Sequence, residues 1–210
     1  LAVGKGVLGG VENDYWCTPN LKTVKVSAAN SVYYCDDRGV LFNKAKTELL
    51  AAPRGITGEY TIPYGVKDLG AKAFNGCYQL KKVVLPPSVN YIPEQGFTNC
   101  IALEEINLEG ITWYRMASLY GCESLKEIKL APEQPFFEYA VFSDCGMTEV
   151  KIPEGYTEIG ENMFVGCLNL KTVTIPDSVE TIGSNAFMGT ALESVTLPQN
   201  LKSLGHGVFD

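Results

Sequence analysis

The sequence has a single histidine, His206, in 210 residues. That leaves little material for general-base or imidazole–metal chemistry, and His206 reads as a surface residue without a catalytic partner. Gly-x-Ser-x-Gly, a phosphate-cradling P-loop, His-Glu-x-x-His and the dinucleotide glycine fingerprint are all absent. No two cysteines stand as Cys-x-x-Cys, the close pairing that zinc sites use. Cations are the minority, 17 Lys and Arg against 24 Asp and Glu. A net charge of −7 lacks the basic footprint nucleic acid would need, and it argues weakly against an anionic membrane surface. No apolar run approaches the ~18 residues of a membrane span, so membrane insertion is not expected. Residues 1–10 are apolar and glycine-rich but have neither a basic start nor a continuous apolar stretch. They are not read as a signal peptide, and a secreted chain would already have lost its own. The chain is therefore read as non-enzymatic, with no cofactor and no metal. A carboxylate pair drawn from distant segments, as in a glycosidase, is the enzymatic alternative that the sequence leaves open.

What the chain does have is apolar residues, 46% of the total, and they recur with a period. The segment beginning Leu170-Lys-Thr-Val-Thr-Ile-Pro and ending Asn185-Ala-Phe187 is repeated from Leu80, Leu103, Leu125, Met147 and Leu192. Successive copies start 22 or 23 residues apart. A partial copy runs from Tyr60 to Phe74, and Leu21, Val24 and Val26 open an earlier one. Such a period indicates coils that cannot bury their apolar side alone and stack to do so. Leu-x-x-Val-x-Ile is a short strand with its apolar residues inward, and the proline after it ends the strand. Eight such strands would span roughly 34 Å at the usual spacing.

Three columns define the rest of each coil. The first holds Phe74, Phe97, Leu119, Phe142, Phe164, Phe187 and Phe209, read as short helical turns. Two residues later come Gly76, Asn99, Gly121, Asp144, Gly166 and Gly189, residue types that tolerate positive φ and so mark a left-handed turn. The next column is Cys77, Cys100, Cys122, Cys145, Cys167 and Thr190. A buried ladder of free thiols is the expectation, because free cysteine is among the most buried residue types. Disulfides between adjacent coils remain geometrically open, as does a bond between Cys17 and Cys35.

The expected fold is an α+β repeat solenoid: a right-handed leucine-rich coil with a parallel β-sheet along one side, short helical turns and an N-terminal β-hairpin insertion. It forms one domain, with residues 1–59 holding the first coil and the hairpin and residues 60–210 the repeats. The hairpin, from segments 31–35, 39–43 and 47–52, would brace the exposed N-terminal sheet edge. The chain ends one residue past the phenylalanine column without a capping segment, so the expectation is either one end of a longer array or a last coil covered some other way.

Two surface columns merit weighing for function. Allowing one deletion at Glu109–Gly110, the position before the inward isoleucine reads Asp68, Tyr91, Trp113, Phe136, Glu158, Thr181 and Ser203. Tyr91, Trp113 and Phe136 would form an aromatic strip, with Tyr114, Arg115 and Tyr139 supporting it as a binding surface for protein or glycan. Alternatively the rings pack on one another and compensate for irregular coils. On the strand face Glu105, Glu127 and Glu149 would stack and repel, with Lys129 and Lys151 placed to offset them; a solvated face is expected there, and no loop shaped for calcium is visible.

The repeat Leu-x-x-Val-x-Ile-Pro-x-Ser-Val-x-x-Ile-Gly-x-x-Ala-Phe-x-Gly-Cys resembles the treponemal-type, BspA-like leucine-rich repeat. The stretch from Asp37 through Leu50 to Pro63 is similar to a hairpin segment of that family. The resemblance covers roughly residues 21–210, weakest at Leu108–Met116 and Leu130–Tyr139. It implies an extracellular or cell-surface protein of a bacterium, with adhesion or protein binding as its role and no catalytic residues. A structural spacer within a larger surface protein is the second possibility.

Overall fold

The computed structural model describes Ala2, Val3, Thr18 and residues 20–210. These form a stack of coils in which every described strand is short and most pairings are parallel. Residues in one coil align with residues 22 or 23 positions later. Lys82 pairs with Glu105, Glu149 with Thr172, and Glu158 with Thr181. The inward columns form one continuous core from Val40 to Val208. Burial of their aliphatic and aromatic side chains, about 1.5–3 kcal/mol each, supplies the main stabilisation.

The walls of the stack differ in continuity. The strand wall joins Thr57–Thr61, Gln79–Val84 and Glu105–Ile106, then resumes with Glu149–Lys151 and Thr172–Thr174. Eight strands were expected along this wall; the described chain has no strand at 126–130 or at 194–196. The first break falls at Glu127, the middle of the three stacked glutamates. Lys82 holds Glu105 at 2.8 Å and Lys151 holds Glu149 at 3.2 Å. Like charges directly opposite in a ladder destabilise it. An open cleft of about 390 Å³, lined by Glu104, Glu105, Glu109, Glu127 and Lys129 among others, marks the gap.

The turn wall is continuous and contains no helix among the described residues, in place of the expected helical turns. It is a ribbon of overlapping four-residue hydrogen-bonded turns. Ala73, Asn75 and Cys77 amides donate to Gly70, Lys72 and Phe74 carbonyls. The amides between them point along the stack: those of Lys72, Phe74 and Gly76 donate to carbonyls of Glu94, Gly96 and Thr98 in the next coil. This pattern needs a left-handed residue at two places per coil. The expected Gly/Asn/Asp column has φ between 54° and 71° at Gly76, Asn99, Gly121, Asp144, Gly166 and Gly189. A second left-handed column stands four residues earlier at Lys72, Gln95, Ala117, Ala140, Asn162 and Asn185.

The described cysteines are free, as expected. The thiols of Cys100, Cys122, Cys145 and Cys167 each donate to the carbonyl of the phenylalanine column one coil earlier, at 3.1–3.3 Å. Each of these thiols thus supplies a donor to an inward carbonyl while filling space in the core. Burial pushes the Cys100 thiol up to about 12 and raises Cys77 and Cys167 as well. Cys17 lies outside the described residues, and so does its proposed bond to Cys35.

At the N-terminal end the insertion is a three-stranded antiparallel meander of Tyr33–Cys35, Leu41–Asn43 and Glu48–Ala51. Its last strand joins the return wall in parallel, Glu48 opposite Asp68. The edge strand Thr57–Thr61 is covered by one side chain: the Arg38 guanidinium donates to the carbonyls of Thr57 and Glu59 at 2.6 and 3.0 Å. Beside it the Tyr60 hydroxyl donates to the Asp36 carboxylate at 2.6 Å.

Candidate binding surface

The return wall contains two three-stranded ladders, one of Glu158–Ile159, Thr181–Ile182 and Ser203–Leu204 and one that carries the aromatic column, built from Tyr91–Ile92, Trp113–Tyr114 and Phe136–Phe137. Trp113 pairs with Tyr91 on one side and Phe136 on the other. The alignment that allowed a deletion at Glu109–Gly110 is therefore correct. Strand alternation sends Tyr91, Trp113 and Phe136 outward and their successors Ile92, Tyr114 and Phe137 inward.

The outward side chains differ in exposure. Trp113 is 42% exposed and Phe136 62%, and the rings meet edge to face at 84° with centroids 6.0 Å apart. Tyr91 is half-buried, and its hydroxyl donates to the Leu69 carbonyl at 3.3 Å. Burial, then the Asp68 charge, raise its pKa. The expected strip is thus an exposed pair with a tethered third ring. Tyr139 and Met116, 51% and 38% exposed, sit together one column further on. Met116 was not anticipated; its signal is the same outward column, where Glu94, Glu161, Ser184 and His206 are polar.

Arg115 and Glu138 lie between the two columns, where the other coils place Gly70, Pro93, Gly160, Gly183 and Gly205. Arg115 Nε is 2.9 Å from Glu138 Oε1, and the guanidinium lies over the Trp113 ring at 5.2 Å. Glu138 also accepts the Met116 amide at 2.8 Å. The ion pair therefore bridges the two coils at the surface and keeps the guanidinium on the tryptophan face.

Tyr114 is not part of this surface. It is fully buried, stacked on Phe137 at 5.0 Å, and points into the isoleucine column. The physical reason is volume exchange. Where Tyr114 replaces isoleucine, Leu119 replaces the phenylalanine of the next column, so the coil's core stays filled. Burial raises the Tyr114 pKa well above its ordinary value.

Among the described residues no cluster of His, Cys, Asp or Glu is placed to hold a metal ion, and no helix is long and apolar enough to cross a membrane. His206 is exposed.

The BspA-type leucine-rich repeat region matches residues 56–138 and 136–210, in six copies. The chain belongs to this family. BspA-type membership makes it a leucine-rich repeat module. It resembles a leucine-rich repeat protein from Eubacterium ventriosum, with a TM-score of 0.75 and 29% identity over 91% of this chain and 53% of that one. A leucine-rich cell surface protein from Faecalibacterium prausnitzii matches with a TM-score of 0.70 and 27% identity, over 88% of this chain and 53% of that one. The T. pallidum leucine-rich repeat protein matches with a TM-score of 0.66 and 28% identity over 85% of both chains. The chain spans about half the length of the first two. No curated protein is significantly similar in sequence.

Proposed function

We propose that this BspA-type repeat chain is a non-catalytic recognition module displayed outside a bacterial cell, and that its contact surface is the patch of Trp113, Phe136, Tyr139 and Met116 with Tyr91 and Arg115 at its edge. The observation that carries the reading is the clustering of four exposed large apolar side chains in two consecutive coils, at positions that are mostly polar elsewhere. Other exposed aromatics, Tyr64, Tyr78 and Phe209, stand singly, whereas these side chains adjoin one another and form a continuous open patch. The strand register and the aromatic and ion-pair contacts already hold these side chains in place, so contact costs little local ordering entropy, which suits adhesion to a protein or glycan. The cell-surface description of the Faecalibacterium relative supports the location.

The test is binding of the chain to arrayed matrix proteins and glycans beside a Tyr91→Ala/Trp113→Ala/Phe136→Ala variant verified as folded. Capture by the parent that the variant loses supports the patch. Capture shared by both moves the contact to another face. Silence from both favours a spacer, a reading supported by the Tyr91 tether and the Trp113–Phe136 contact.

A further inference from the structure

Taking that patch as the contact surface, we infer that its occupant is a basic polypeptide segment carrying apolar side chains, not a sugar. Three observations converge on this.

The first is ring geometry. A sugar ring lies flat on an open aromatic face, and neighbouring platforms serve it when their faces are coplanar. Trp113 and Phe136 stand at 84° to each other, and Arg115 already covers a Trp113 face at 5.2 Å. The rings form an angular notch, which suits an aliphatic or aromatic side chain.

The second is composition. Trp, Phe, Tyr and Met surround an ion pair whose charges cancel between Arg115 and Glu138. Aromatics, methionine and arginine are the residues enriched where proteins meet proteins.

The third is the charge around the notch. Across the return stretches 88–99, 110–121, 133–144 and 155–166 there are six carboxylates: Glu94, Glu133, Glu138, Asp144, Glu158 and Glu161. Arg115 is the sole cation in those stretches, and it is engaged by Glu138. Glu158 continues the column of Trp113 and Phe136, Glu161 continues that of Met116 and Tyr139, and both are exposed. At the opposite end, beyond Tyr91, Lys67 and Lys72 stand with Asp68 and Glu48, so the charges there offset one another. The field is therefore graded. A partner's lysines or arginines lie toward Glu158 and Glu161 and its apolar residues in the notch, where cation–π contact adds to the attraction.

The experiment uses the whole chain and three fluorescein-labelled probes read by anisotropy: a short peptide alternating arginine and leucine, its glutamate–leucine counterpart, and a β-glucan oligosaccharide. The arginine peptide should bind and the other two should not. Trp113→Ala/Phe136→Ala should weaken it about tenfold or more, as loss of central aromatic anchors does. Glu158→Gln/Glu161→Gln should weaken it as well, and should flatten its dependence on salt while leaving the apolar packing untouched. That second variant keeps the test decisive if the first unfolds. Failure of the arginine peptide to bind, equal binding of the glutamate peptide, or indifference to Glu158→Gln/Glu161→Gln overturns the inference. Glucan binding that the aromatic variant loses overturns it too, yet leaves the patch as the contact surface. Peptide binding that a folded Trp113→Ala/Phe136→Ala variant retains in full overturns the patch itself.

Discussion

The sulfur of Cys145 lies 3.2 Å from the carbonyl oxygen of Leu119, one coil earlier. The same contact in neighbouring coils makes each thiol both a packing group and a donor to an inward carbonyl. Cys145→Ala removes both roles and should cost about 1–2 kcal/mol, a lost buried hydrogen bond plus a small cavity. Cys145→Ser keeps a donor and should cost less than the alanine change if the hydrogen bond dominates. Thermal unfolding of the two variants ranks the contributions; equal losses would assign the column to packing alone.

The ladder also sets an alkaline limit. Folded Cys100 titrates near 12 instead of 9.0, and burial raises Cys77 and Cys167 in the same direction. The folded state therefore keeps protons that the unfolded state releases above about pH 9, so stability is fully present below that pH and falls as pH rises toward 12. Buried Tyr60 and Tyr114, also raised, steepen the loss above pH 10. Denaturant midpoints should hold steady from pH 7 to 8.5 and then drop; a flat profile to pH 11 would contradict the buried-thiol account.

Trp113 and Tyr114 are adjacent in sequence and opposite in consequence. Tyr114→Ala should cost about 3–5 kcal/mol, the usual loss for a large buried aromatic. Trp113→Ala should cost about 1 kcal/mol or less, since its ring is substantially exposed. Chemical denaturation separates them, and comparable losses would mean that Trp113 is a packing residue.

Glu127 sits where the strand wall opens. Glu127→Gln removes the central member of three stacked carboxylates and should raise stability by roughly 0.5 kcal/mol. Hydrogen exchange should show new protection at amides 127–129. Unchanged exchange with unchanged stability would mean that charge does not hold the gap open.

Arg38 shields the carbonyls of Thr57 and Glu59 at the strand-wall edge. Arg38→Ala should therefore increase self-association more than it lowers the melting temperature, because an uncovered edge pairs with other chains. Light scattering on heating reads this; a monomer as well behaved as the parent would remove the shielding role.

Repetition made most of this legible. A column of seven residues corrects for its own exceptions, so the inward phenylalanines, the left-handed Gly/Asn/Asp position and the thiol ladder could be read directly. Even the deletion at Glu109–Gly110 was recoverable, because it restores Trp113 to the register it shares with Phe136. The second left-handed column was not recoverable. Lys72, Gln95, Ala117 and Ala140 carry no conformational signature, and their φ is imposed by amides that must point at the next coil. Tyr114 was grouped with the surface residues although the same alignment puts it in the isoleucine column. The compensating Leu119 was the available signal, and a volume exchange within one coil is easily taken for two unrelated departures. The missing strands at 126–130 and 194–196 were not recoverable either, because both segments keep the apolar spacing of the coils that do form strands.

The unequal walls give the molecule a direction of stiffness. Three amide–carbonyl bonds tie each coil to the next along the turn wall from residue 72 onward, while the strand wall opens at 126–130 and the return wall between Leu69 and Tyr91 and again between Phe137 and Glu158. A beam continuous on one side and slotted on the others flexes about its continuous side. A pull along the stack is carried by the cysteine side, and it changes the curvature of the stack before it changes its length.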